Sequence, residues 1–199
     1  MMAQRHLFVN AVSTGLRRRC GVGAGERLLV AVSGGGDSIA LLRALINMAG
    51  QRDWQIELAV GHVQHHLRDG EASEGPGHSV GGRPVDRGGG DGGDAEQDAV
   101  FVEALAGQFD LPFYRVDLDL SSEVGNVEAA ARRGRYHALA AMAETFRTRY
   151  VVCAHQADDQ LETVLMRMLR GASVRGLSGM AWRRRLLTGR QTRLIRPML

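Results

Sequence analysis

Arg27-Leu-Leu-Val-Ala-Val32-Ser-Gly-Gly-Gly-Asp-Ser38 is the stretch that decides the fold. Leu28 to Val32 is an unbroken apolar run, short enough for a strand buried in a sheet. Four small residues, Ser33, Gly34, Gly35 and Gly36, then break it, and beyond Asp37 and Ser38 the apolar side chains Ile39, Leu42, Leu45, Ile46 and Ala49 fall at helical spacing. A strand feeding a glycine loop that opens a helix is a cradle for phosphate. Glycines let backbone N–H groups approach an anion, the helix N-terminus adds partial positive charge, and the hydroxyls of Ser33 and Ser38 offer further donors. The lysine-bearing phosphate loop of common NTPases is excluded because no Gly-Lys-Ser/Thr occurs, and the glycine spacing does not fit dinucleotide binding.

Working outward, Leu7, Phe8, Val12 and Leu16 trace a short N-terminal helix whose end carries Arg17, Arg18 and Arg19 before Gly21. Strands are predicted over Gln55–Val63 and Pro112–Val116, with a helix over Gln97–Phe109 before the second of them. Asn126 is placed to cap an Ala-rich helix running to Phe146, Tyr150–Ala154 reads as a fourth strand, and Asp158–Leu169 as a helix stopped by Gly171. Strands alternating with helices imply a parallel sheet covered on both faces. Residues 69–97 hold ten glycines and no apolar period, and are read as a flexible excursion that cannot bury enough surface to offset its ordering entropy.

Composition narrows the partners. All 25 basic residues are arginines, so no lysine can serve as a Schiff base or phosphate ligand. No Asp or Glu follows Glu162, whereas nine arginines lie between Arg167 and Arg196, a cationic stretch suited to a nucleic-acid backbone. A coding bias that supplies arginine everywhere accounts for the same charge. Cys20 and Cys153 stand apart, without a Cys-x-x-Cys pair, which argues against zinc fingers and disulfide frameworks. No apolar run reaches the roughly 18 residues that span a bilayer, so a soluble, cytoplasmic chain with no membrane partner is expected.

Three further motifs carry chemistry. His62-Val63-Gln64-His65-His66-Leu-Arg68 follows the second strand, where the histidines read as a loop cluster more readily than as a metal site. Arg132, Arg135 and Tyr136 share one helical face, which on spacing alone is also an ordinary solvated arginine face. His155-Gln-Ala-Asp158-Asp159-Gln-Leu-Glu162 begins where the fourth strand ends. Asp158 and Glu162 share a face there, and on spacing alone the aspartates are equally first-turn acids favoured by the helix dipole.

Ser33-Gly-Gly-Gly-Asp-Ser38 after an apolar strand resembles the pyrophosphate loop of the N-type ATP pyrophosphatases, which split ATP between its α- and β-phosphates. The His62–Arg68, Glu128–Tyr136 and Ala154–Thr163 segments, with Arg170–Met180 and Leu194–Leu199 after them, resemble the tRNA(Ile)-lysidine synthases within that superfamily, in the same order. The resemblance implies a Rossmann-like, doubly wound α/β sheet of the adenine nucleotide alpha hydrolase type in a single domain. Residues 1–26 form a helical lead-in, and residues 27–199 form the PP-loop domain with an insertion at 69–97. It implies that Ser33, Gly34, Gly35, Gly36, Asp37 and Ser38 hold the phosphates and that His62 and Val63 approach the adenosine. Arg132 and Arg135 then face ATP and tRNA, and His155, Asp158 and Glu162 join Asp37 as catalytic groups, with Asp37 and Asp158 near Mg2+. The implied reaction joins free L-lysine to the wobble cytidine of a tRNA(Ile) with a CAU anticodon, through an adenylated cytidine. A homodimer is compatible with this reading. Family members usually continue into C-terminal tRNA-binding domains, which are not found in these 199 residues. Sulfur transfer to tRNA, the nearest alternative, generally uses cysteine pairs; a non-catalytic ATP- or RNA-binding module is the other.

Overall fold

A computed structural model describes residues 2–66, 92–120, 125–171 and 178–199. Most of the glycine-rich stretch, Arg68 of the histidine motif and residues 172–177 lie outside the described residues. Helix α1 (Met2–Thr14) runs into a wider π-type turn, Gly15–Cys20, which Gly21 ends at a φ of +71° with its N–H on the Leu16 carbonyl. After β1 (Arg27–Ala31) come α2 (Gly36–Ala49), β2 (Glu57–His66), α3 (Gly92–Gly107), β3 (Phe113–Asp119) and α4 (Val127–Thr145). The chain closes with β4 (Tyr150–Val152), α5 (Ala157–Leu169), β5 (Arg183–Arg185) and β6 (Arg193–Ile195).

The six strands order as β3-β2-β1-β4-β6-β5, parallel throughout except for β5, which runs antiparallel to β6 at the edge. Alternation along β1 explains the two-sided burial. Leu28 and Val30 join Val12 and Leu16 of the N-terminal helix and turn, Leu42 and Leu45 of α2, and Val102 and Leu105 of α3. Leu29 faces the opposite way, with Leu139, Met142 and Ala143 of α4. Burying each such aliphatic side chain stabilises the fold by about 1.5–3 kcal/mol. The doubly wound architecture expected from the sequence is therefore present.

Several boundaries differ from the sequence reading. β2 and β3 prolong each other, pairing from Val60–Phe113 to His66–Asp119, so the histidine motif lies on a strand and not in a loop. The pairing supplies what the local sequence lacks, since no apolar alternation continues past Val63. α3 begins at Gly92, so residues 92–97 belong to its first turns and not to the excursion. β4 is shorter than expected, ending at Val152. β5 and β6 were not foreseen. Asn126 caps α4 as expected, accepting from the Ala129 N–H at 2.9 Å. Among the described residues no helix is long and apolar enough to cross a membrane.

The candidate ATP cleft

Chain connections leave β1 toward β2 on one side, while β4 lies on the other, and ligands of open α/β sheets bind at such a reversal, outside the carboxyl ends of the strands. A cleft of about 510 Å³ opens there. Its floor is the end of β1, Ala31 and Val32, followed by Ser33, Gly35, Gly36, Asp37 and Ser38. Gly34 makes the bend at a φ of +96°, and the Asp98 carboxylate of α3 packs so close that a Cβ on Gly34 would meet its Cγ at 2.5 Å. Ser38 closes the loop from inside, its hydroxyl donating to the Gly35 carbonyl at 2.7 Å while the Ser33 N–H points to its oxygen at 3.3 Å. That hydroxyl is buried and its proton is committed to the loop, so Ser38 shapes the cradle. The Asp37 carboxylate accepts from the Gln156 side-chain amide at 3.0 Å, a tie between the loop and the start of α5.

One wall is the end of β2. His62 is 3% exposed, and of its two ring nitrogens Nδ1 donates to the Val32 carbonyl at 2.8 Å, the other being Nε2. Among the described residues that Nε2 has no partner, and neither amide atom of the buried Gln64 has one. Leaving such atoms bare costs about 1–3 kcal/mol each. Val63 lines the same wall.

The opposite wall is α4 and the residues after β4. Arg132, Arg135 and Tyr136 all reach the cleft, so the i, i+3, i+4 face meets the cleft. The guanidinium of Arg132 lies 5.5 Å from the Tyr136 ring centroid, and that of Arg184 on β5 lies 4.6 Å from it. His155 also lines the cleft. Burial, then the positive charge of Arg196, holds its imidazole below the ordinary value of 6.5. Cys153 sits beside it with its thiol pushed up to about 11 by burial.

The acids after His155 are placed differently from the sequence expectation. Asp159, not Asp158, faces the cleft. A capping box sets this rotation: the Asp159 carboxylate accepts from the Gln156 N–H at 2.7 Å. Asp158 is turned into a second groove against Leu7 and Phe8 of α1, with Trp182 and Leu199. Exposed Glu162 lies about a turn further along and lines neither cavity. Asp37 and Asp158 are thus not brought to one cation site, and among the described residues no group of three His, Cys, Asp or Glu side chains could hold a metal. Asp98, Gln64 and Asp159 are polar cleft residues to which the sequence reading gave no site role.

The sequence profile of the PP-loop domain matches residues 11–78 and 92–199. The chain belongs to the PP-loop family. Curated relatives of this PP-loop chain include the tRNA(Ile)-lysidine synthases of Symbiobacterium thermophilum, 38% identical over 88% of the chain and 31% of that protein, and of Synechocystis, 36% identical over 92% and 48%. That of Nostoc is 33% identical over 87% of the chain and 42% of its own length. The chain thus spans from under a third to about half the length of these relatives. Among solved structures, the U34-tRNA thiolase NcsA of Methanococcus maripaludis superposes with a TM-score of 0.61 over 96% of this chain and 57% of its own, at 15% identity, a likeness of fold.

Proposed function

We propose that this PP-loop domain activates the wobble cytidine of a CAU-anticodon tRNA(Ile) with ATP and joins free L-lysine to it, changing decoding from AUG to AUA. The observation that carries the reading is the Ser33–Ser38 cradle facing Arg132 and Arg135 across one cleft, with similarity to lysidine synthases over most of the chain. In this reading the β- and γ-phosphates lie on the loop amides at the α2 N-terminus. The cytidine O2 attacks the α-phosphorus, and pyrophosphate leaves with its charge neutralised by the arginines. The lysine amine then attacks C2 and AMP departs, a far better leaving group than the original oxygen.

Each remaining group has a place. His62 and Val63 bound the adenosine side, His155 orients the reacting phosphate, and Asp159, which faces the cleft where Asp158 does not, is the carboxylate of α5 available to the reaction. Glu162 is the exception: exposed and lining neither cavity, it is given no role in the reaction. The residues present suit Mg2+, which usually binds through one or two carboxylates and the substrate phosphates, with Asp37 as the protein ligand. Bound there, it would neutralise phosphate charge. Lysine arrives from solution, so a lysine-free protein is no obstacle.

The test is to incubate the chain with labelled lysine, ATP and CAU-anticodon tRNA(Ile), following lysine in the RNA and AMP release. Asp37→Ala is expected to abolish both while leaving the circular-dichroism spectrum unchanged. Full AMP release by that variant refutes the assignment. Nucleotide binding by the wild-type chain with no AMP formed would instead identify a non-catalytic module.

A further inference from the structure

Arg196 follows β6 and is 2% exposed, yet among the described residues no carboxylate is paired with it. A buried guanidinium without a counter-charge is costly, so its donors must be well used. Two of them are directed at the residues beside the cleft. One terminal nitrogen donates to the Ala181 carbonyl at 2.8 Å, and Nε donates to Nδ1 of His155 at 3.3 Å. Its own backbone N–H is held by the Trp182 carbonyl at 2.9 Å. Arg196 does not line the cleft, whereas His155 does.

The chemistry of this contact has one solution. A guanidinium Nε–H only donates, so Nδ1 of His155 must present its lone pair, and the ring proton of the neutral imidazole must sit on Nε2. We propose that Arg196 is a positioning residue for His155, fixing it as a neutral Nε2–H hydrogen-bond donor to the phosphate chemistry of the cleft and denying it the role of proton acceptor. The inference rests on the phosphoryl-transfer reading above. The groups around the ring are consistent with it: Arg196, Arg132 and Arg135 disfavour a charged imidazole, and Asp159 opposes them.

Nitrogen-15 NMR of the whole chain reads the tautomer without any assay of activity. His155 is assigned by the resonances lost in His155→Gln. Wild-type protein at pH 7 is expected to show an unprotonated Nδ1 and a protonated Nε2. A protonated Nδ1 or a charged ring at that pH overturns the proposal. Arg196→Met, if folded, is expected to mix the two tautomers. Arg196→Gln keeps an N–H donor without the charge and should restore the wild-type tautomer; an unchanged tautomer in the Met variant would also overturn the proposal.

Activity then separates donor from base. A Gln amide places its N–H near the position of Nε2, and an Asn amide near that of Nδ1. His155→Gln is expected to retain AMP release within about tenfold, and His155→Asn to lose on the order of a hundredfold, as when a single oxyanion donor is removed. Equal losses in the two would mean proton transfer and refute the donor role. A wild-type chain that shows the expected tautomer but forms no AMP would count against the proposed reaction and leave the Arg196–His155 arrangement standing.

Discussion

Gly34→Ala tests the phosphate loop through its geometry. At a φ of +96° an alanine Cβ would lie 2.5 Å from Asp98 Cγ and 2.7 and 2.8 Å from its two oxygens. Two costs add. Backbone strain for a non-glycine residue in this region is about 1–3 kcal/mol, and pushing the Asp98 side chain off its rotamer adds about 0.5–1.5 kcal/mol. The sum, about 1.5–4.5 kcal/mol, corresponds to a fall of about 3–18 °C in Tm for a chain of this size. Urea unfolding followed by circular dichroism measures it, and ATP titration by calorimetry should show a parallel loss of affinity as the loop amides shift. Gly34→Ala combined with Asp98→Ala should recover only the second cost, because strain remains when the neighbour is gone. A single variant within about 0.5 kcal/mol of wild type would refute the reasoning, and a double variant no more stable than the single would refute the contact with Asp98.

Gly15→Ala should also be damaging, since its Cβ would fall 2.1 Å from the Pro197 backbone carbonyl oxygen, where neither segment can yield cheaply; a loss above about 2 kcal/mol is expected by urea unfolding. Asn126→Ala removes the cap bond to Ala129 and should cost about 1 kcal/mol, seen as a lower unfolding midpoint with an unchanged slope. Cys153, held at about 11 against an ordinary 9.0, should react with iodoacetamide at pH 8 about a hundredfold more slowly in the native than in the unfolded chain. The sign for stability follows. The native state keeps this proton more tightly, so the contribution is fully present below pH 9 and is lost as pH rises from about 9 to 11, which equilibrium unfolding across that range would record.

How much of this was legible in the sequence varied with the physics involved. The Ser33–Ser38 loop and the Arg132, Arg135, Tyr136 face could be read because local periods fix them: a short apolar run, a glycine break, an i, i+3, i+4 spacing. β5 and β6 could not, because Arg183–Arg185 and Arg193–Ile195 are three residues each and carry no alternation; their strand character comes from pairing with each other and with β4. The exchange of Asp159 for Asp158 turned on the rotation of α5, which a capping contact between Gln156 and Asp159 sets and spacing alone does not. Asp98 and Gln64 enter the cleft only through the packing of α3 and the extension of β2, and so had no local signature.

Strand β5 lies at the end of the sheet order, and its three residues are all arginines. A terminal strand offers a row of unpaired amides and carbonyls that invites another strand to add on, and like charge along it is one way proteins refuse the offer. Two copies meeting through this rim would align arginine against arginine. The rim therefore discourages the sheet from growing between molecules, so any pairing of two chains should use a different face.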